Sequence, residues 1–206
     1  MSGCGCDSVC NSAAPGPGYR RALWIALVLN ALMFGVELVA SFAAQSVSLL
    51  ADAVDFLGDA GNYSVALFVL GLAPVWRSRT ALWKGWTMLA YGVFVLGKSA
   101  WQWSAGVVPE PFIMGWVSLL ALAVNVGVAG LLYAHRQGDA QARSVWLCSR
   151  NDALGNLAVM GAAGGVWVTA HGWPDIAVAL VLAGLALTSG ASVIRHAREE
   201  LRINGQ

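Results

Sequence analysis

Six apolar stretches, each of roughly 20 residues, follow one another along this 206-residue chain with only short breaks between them. That length is what an α-helix needs to cross the hydrocarbon core of a bilayer, where every backbone N–H and C=O must be paired within the segment. The stretches run over approximately 22–44, 47–73, 84–105, 112–134, 144–170 and 174–195, separated by breaks at 45–46, 74–79, 107–111, 135–140 and 171–174. The first break is the tightest, so the first two helices form an antiparallel hairpin. Charged residues make up only 11% of the chain, against about a quarter in a soluble domain. The expected fold class is an all-α membrane protein with six transmembrane helices.

Lysine and arginine fall on one side of this arrangement. Arg20 and Arg21 precede the first helix; Arg77, Arg79 and Lys84 lie between the second and third; Arg136, Arg143 and Arg150 lie about the start of the fifth; Arg195, Arg198 and Arg202 follow the sixth. The breaks at 45–46, 107–111 and 171–174 contain neither residue. The positive-inside rule then puts both termini in the cytoplasm, with a bacterial inner or plasma membrane as the expected location. The expected organisation is a Cys-containing flexible segment over 1–19, a six-helix domain over 20–196 and a short cytoplasmic tail over 197–206. The first apolar run is too long for the core of a signal peptide and reads as a retained span. No basic nucleic-acid patch or Gly-rich phosphate loop stands out, so no nucleic-acid partner is expected.

Within the second stretch, LLADAVDFLGDAGN (residues 49–62) carries Asp52, Asp55 and Asp59. An aspartate at the centre of a membrane helix costs about 3 kcal/mol, so three cost on the order of 10 kcal/mol unless something uses them. At about 100° per residue the three fall within an arc of about 60°, and Asp55 and Asp59 stand one turn apart on one face. Gly58 and Gly61 flank that face and would let a neighbouring helix come close. Cys148 and Asp152 repeat the one-turn spacing on the fifth helix. If helices two and five pack together, Asp55, Asp59, Cys148 and Asp152 make a mixed O and S donor set suited to Zn²⁺, whereas Ca²⁺ and Mg²⁺ prefer all-oxygen shells.

Each residue also has a plainer reading. Asp52 caps a helix or lines a wet vestibule. Asp55 and Asp59 form a protonated, hydrogen-bonded pair. Cys148 is a small hydrophobe, and Asp152 pairs locally with Arg150. Lys98 snorkels outward, and Asn30, Asn62, Asn125 and Asn156 are hydrogen-bonding glue between helices.

The block from Asn30 to Asp59, with Ser46, Ser48, Leu49, Leu50, Ala51, Asp52, Ala53, Asp55 and Asp59 in register, resembles the first two helices of the cation diffusion facilitator family. AsnAspAlaLeuGlyAsn at 151–156 resembles the family's second half-site, with Asp152 at its Asp. The resemblance covers about residues 20–196. It implies export of a divalent transition metal from the cytosol in exchange for protons, by a homodimer in the lipid bilayer. Zn²⁺ leads, with Cd²⁺, Co²⁺, Ni²⁺, Mn²⁺ or Fe²⁺ as other cargoes and no cofactor. It also marks Asp52, Asn30, Glu37, Asn151 and Asn156 as accessory or access-path positions. Three features depart from the family pattern. Cys148 stands where a His or Asp is usual, and neither the His-rich loop nor the C-terminal metal-binding domain has a counterpart in this sequence.

Near the start, Cys4, Cys6 and Cys10 put three thiols within seven residues. In a reducing compartment such thiols suit soft metals and would capture an ion for the membrane site. The alternative is a disordered tail with incidental cysteines. Metal entry into a site of carboxylates and a thiol expels protons, and proton entry expels metal, so exchange by alternating access follows. Two other function classes remain at this stage: a metal-binding membrane sensor that does not transport, and a metal-dependent or aspartyl intramembrane enzyme. The further Asp motifs such enzymes need are missing around Asp59.

Overall fold

The computed structural model describes residues 17–69, 74–133 and 140–204, with side chains described at all of these except 17, 68–69, 74–77, 140–151 and 203–204. Six α-helices occupy these residues: α1 (Pro17–Ala43), α2 (Val47–Ser64), α3 (Pro74–Ala105), α4 (Pro111–Tyr133), α5 (Ala140–Thr169) and α6 (Trp173–Asn204). Three of them, in α1, α4 and α6, are long and apolar enough on their own to cross a membrane. A π-helical turn, Val65–Val69, continues α2.

The helix ends differ from the apolar stretches at four helices. The first begins at Pro17, inside the segment expected to be flexible over 1–19, and the fifth begins at Ala140, ahead of the stretch expected from 144. The third helix begins at Pro74, inside the break expected at 74–79, and the sixth runs on to Asn204 through the expected tail. Hydropathy reports where a helix enters lipid, while its ends are set by backbone chemistry. Proline fits the first position of a helix because its fixed φ suits the turn and its missing N–H has no partner there. Pro74 and Pro111 both hold that position.

The tight α1–α2 turn has a local cause. Gln45 adopts φ 54°, while its N–H reaches Phe42 O at 3.3 Å and Ser46 N–H reaches Ser41 O at 2.9 Å. These are the two bonds of a Schellman stop, which pairs the last carbonyls of α1. Ser46 then caps α2, its Oγ accepting from Leu49 N at 3.1 Å. Glu110 N–H donates to Ala44 O at 2.9 Å, and Gly172 packs on Val107 O. The three short links therefore gather at one end of the bundle, and the Lys and Arg residues of the helix ends lie at the other.

Central to the packing is α2, which touches α1, α3, α5 and α6, while α4 lies against α1 and α5. Phe56 of α2 fills the space between Met33 of α1 and Ala121 of α4. The α3–α6 pair is held by glycines. A Cβ at Gly190 would stand 3.1 Å from Gly85 O and 3.2 Å from Met88 Cβ, and one at Gly85 would stand 2.6 Å from Ile194 Cγ1. Gly190→Val is therefore expected to force these helices apart, costing about 1–3 kcal/mol. In detergent its melting temperature should fall by about 5 °C; an unchanged melt would show that the contact relaxes freely.

The outward faces carry what would be buried in a soluble protein. Trp101, Trp103, Trp167 and Trp173 are exposed near the loop end, and Trp83 and Trp86 near the opposite end. Such belts suit the two membrane–water interfaces.

Candidate metal centre

Asp55 and Asp59 project from successive turns of α2 toward α5, and the Asp59 and Asp152 carboxyls come within hydrogen-bonding reach of each other. Asp59 is buried, while Asp55 and Asp152 each keep part of their surface open. Tyr63, one turn along α2, donates its hydroxyl to Asp59 Oδ2 at 3.2 Å. On α5, Gly155 faces these acids. A side chain there would begin 3.5 Å from Asp52 Oδ1 and 3.9 Å from Asp55 Oδ2. Among the described residues, nothing packs within 4 Å of a Cβ placed at Gly58, while at Gly61 the Lys84 stem of α3 does, at 3.9 Å.

Further toward the loop end, Asp52 faces Glu37 of α1, both almost wholly buried. Among the described residues, both Glu37 oxygens and Asp52 Oδ2 lack a hydrogen-bond donor, as does Asp152 Oδ2. Two carboxyls face each other without a donor only if a proton or a cation stands between them. The interior thus holds a seam of acids, Glu37, Asp52, Asp55, Asp59 and Asp152, whose charge must be balanced by protons or a cation. That chemistry fits a divalent ion exchanging with protons.

Other expectations fare differently. Asp52 does not cap α2, because Ser46 does. Asn30 is not interhelical glue: its Nδ2 donates to Ala26 O of its own helix at 2.8 Å. Its Oδ1 and both side-chain polar atoms of Asn156 have no partner. Asn62 does bridge helices, accepting from Lys84 Nζ of α3. Lys98 lies outward, 4.9 Å from the Phe42 ring centre. Cys148, Arg150 and Asn151 are in α5, but their side chains are outside the described residues, as are Cys4, Cys6 and Cys10 altogether. Among the described residues, no group of three or more His, Cys, Asp or Glu forms a ready metal cage.

Sequence reasoning missed one residue entirely. Asp175 at the start of α6 is fully buried. Its carboxylate accepts from Ser46 Oγ at 2.6 Å, Val47 N at 2.9 Å, Ser48 N at 3.0 Å, Ser48 Oγ at 2.5 Å and Gln102 Nε2 at 3.0 Å. It sits on the N-terminus of α2, where unpaired N–H groups and the helix dipole both favour an anion. A signal was present. An Asp at the head of an apolar helix, on the end with no Lys or Arg, must find its donors in the backbone and in hydroxyls.

Residues 23–202 match the family model for the cation efflux transmembrane domain. The chain belongs to the cation efflux family. It is accordingly a multi-pass integral membrane protein, and because members of this family are transporters, the enzyme readings fall away. Among its relatives is a metal cation efflux system protein, CzcD, of Cupriavidus metallidurans, 26% identical over 180 residues, covering 82% of this chain and 57% of that protein. Another is a cadmium, cobalt and zinc/H(+)-K(+) antiporter of Bacillus velezensis, 24% identical over 196 residues, covering 87% of this chain and 62% of that protein. The chain thus spans about three fifths of the length of the curated relatives it matches.

Proposed function

We propose that this chain is the membrane unit of a divalent transition-metal exporter, carrying a Zn²⁺-like ion from the cytosol in exchange for protons. The observation that carries the reading is the meeting of Asp59 of α2 with Asp152 of α5, beside Asp55. Relatives named for metal efflux and for cadmium, cobalt and zinc antiport support it. In this reading Asp55, Asp59 and Asp152 are ligands to the transported ion and Cys148, one turn before Asp152, is the fourth. Glu37 and Asp52 hold or relay protons between that site and the loop end of the bundle. Asn30, Asn151 and Asn156 line the path, and Cys4, Cys6 and Cys10 capture cytosolic metal. The basic end of the bundle faces the cytosol, and the working form is a homodimer.

The ligands bind metal only when deprotonated, so each ion that enters displaces protons. The test is the purified chain in proteoliposomes containing a pH-sensitive dye, challenged in turn with Zn²⁺, Cd²⁺, Co²⁺, Ni²⁺, Mn²⁺ and Fe²⁺. Metal-dependent proton movement is expected; metal binding without any flux would make the protein a sensor instead. Cys148→Ser should weaken transport of thiophilic Cd²⁺ by about tenfold relative to Mn²⁺, since thiolate favours soft ions and a hydroxyl does not. Equal effects on both ions would remove Cys148 from the ligand set.

A further inference from the structure

Lys84, near the start of α3, has a role that a count of basic loop residues does not reveal. Its ammonium donates to Asn62 Oδ1 on α2, one turn beyond Asp59, and it interacts electrostatically with the Asp59 carboxylate. Its stem lies over Gly61, the Cδ 3.9 Å from where a Cβ would stand. The missing side chain at Gly61 is therefore the groove along which the lysine reaches inward from the basic end of the bundle. Asp59 is thus bordered by four groups: the Tyr63 hydroxyl, the Asp152 carboxyl, the Asn62 side chain and the Lys84 ammonium.

Two carboxylates facing each other in a low-dielectric interior need compensating charge when no metal is bound. An ammonium held beside Asp59 supplies the pair with one positive charge from the protein itself. It also repels an incoming divalent ion, and it does so from the end of the bundle that the basic residues assign to the cytosol. The Asn62 carbonyl gives the ammonium a fixed neutral anchor at the mouth of the site.

We infer that Lys84 is a tethered counter-cation of the metal site: it balances Asp59 and Asp152 when they are empty, lowers their affinity for a divalent ion and so speeds its release. This inference rests on the assignment of Asp59 and Asp152 as metal ligands. It makes Lys84 a positioning residue that sets affinity through charge, without touching the ion.

The experiment measures Zn²⁺ affinity of the full-length, detergent-purified chain by competition with a chromophoric chelator, together with KM and kcat for Zn²⁺ in proteoliposomes. Wild type, Lys84→Met, Lys84→Arg and Asp152→Asn are compared. Removing one positive charge beside a doubly charged ion in a low-dielectric site should tighten binding roughly tenfold or more. Lys84→Met is thus expected to lower Kd and KM and also lower kcat, because release slows, while Lys84→Arg keeps values near wild type. A Lys84→Met protein that melts earlier but binds Zn²⁺ no more tightly would make Lys84 a mere tie between α2 and α3, and overturn the inference. Lys84→Arg matching Lys84→Met would overturn it too, since charge would then not be the determinant. If Asp152→Asn binds Zn²⁺ as well as wild type, the ligand assignment itself fails. If Asp152→Asn loses binding while Lys84→Met leaves Kd unchanged, only the role of Lys84 fails.

Discussion

Alanine at Asp152 is expected to abolish metal-driven proton movement while leaving the bundle folded. Asp152 is the α5 carboxyl that comes within hydrogen-bonding reach of Asp59, and its removal relieves crowding among the acids of the seam. For metal the balance is opposite. Groups that merely orient a metal ligand change affinity 10- to 100-fold, so loss of a direct ligand should cost more than about a hundredfold. The measurement is dye-reported flux in proteoliposomes, with a melting curve as control. Wild-type flux from a folded Asp152→Ala protein would sink the assignment. The pH dependence has a definite sign. Protons compete for the same oxygens, so apparent metal affinity of the wild type should fall as pH falls on the cytosolic face, and acid on the opposite face should speed release.

The second large effect is at Asp175. Asp175→Ala removes the acceptor for five donors, two of them backbone N–H groups at the head of α2. Hydrogen bonds to a charged group contribute about 1.5–3 kcal/mol each but are not additive, and the orphaned donors remain buried. A loss on the order of 4 kcal/mol follows, equivalent to a melting temperature lower by about 10 °C. Asp175→Asn should recover part of this, because its one carbonyl oxygen still accepts while its NH₂ opposes the remaining donors. A melt within about 1 °C of wild type for Asp175→Ala would mean that the α2 terminus finds other acceptors. The effect reaches function because α2 also carries Asp55 and Asp59. Its N-terminus is pinned to α6 by Asp175 and to α3 through Gln102, so its register against α5 depends on that clamp.

Much of this was open to a reader of the chain. The spacing of Asp55 and Asp59 names a shared helical face because the α-helical period is fixed, and Asp152 stands out as an acid in an apolar run. Lys84 shows where pattern reading stops. Counted with Arg77 and Arg79 it is an orientation signal, yet in the bundle its side chain turns inward along Gly61 to Asn62. Gly58 and Gly61 likewise looked like helix contacts; the Lys84 stem of α3 does lie over Gly61, while α5 meets Asp52 and Asp55 at Gly155.

By itself, the sequence determined the membrane class, the all-helical make-up, the hairpin at 45–46 and the acids that need a purpose. Those follow from composition, period and the cost of charge in lipid, all of which act within a segment. Tertiary structure alone decided that Asp175 closes the head of α2, that Glu37 faces Asp52, and that Lys84 stands beside Asp59. Each is a meeting of residues from different helices, set by which glycines and alanines let those helices approach and how they are rotated, and local periodicity carries no record of that choice.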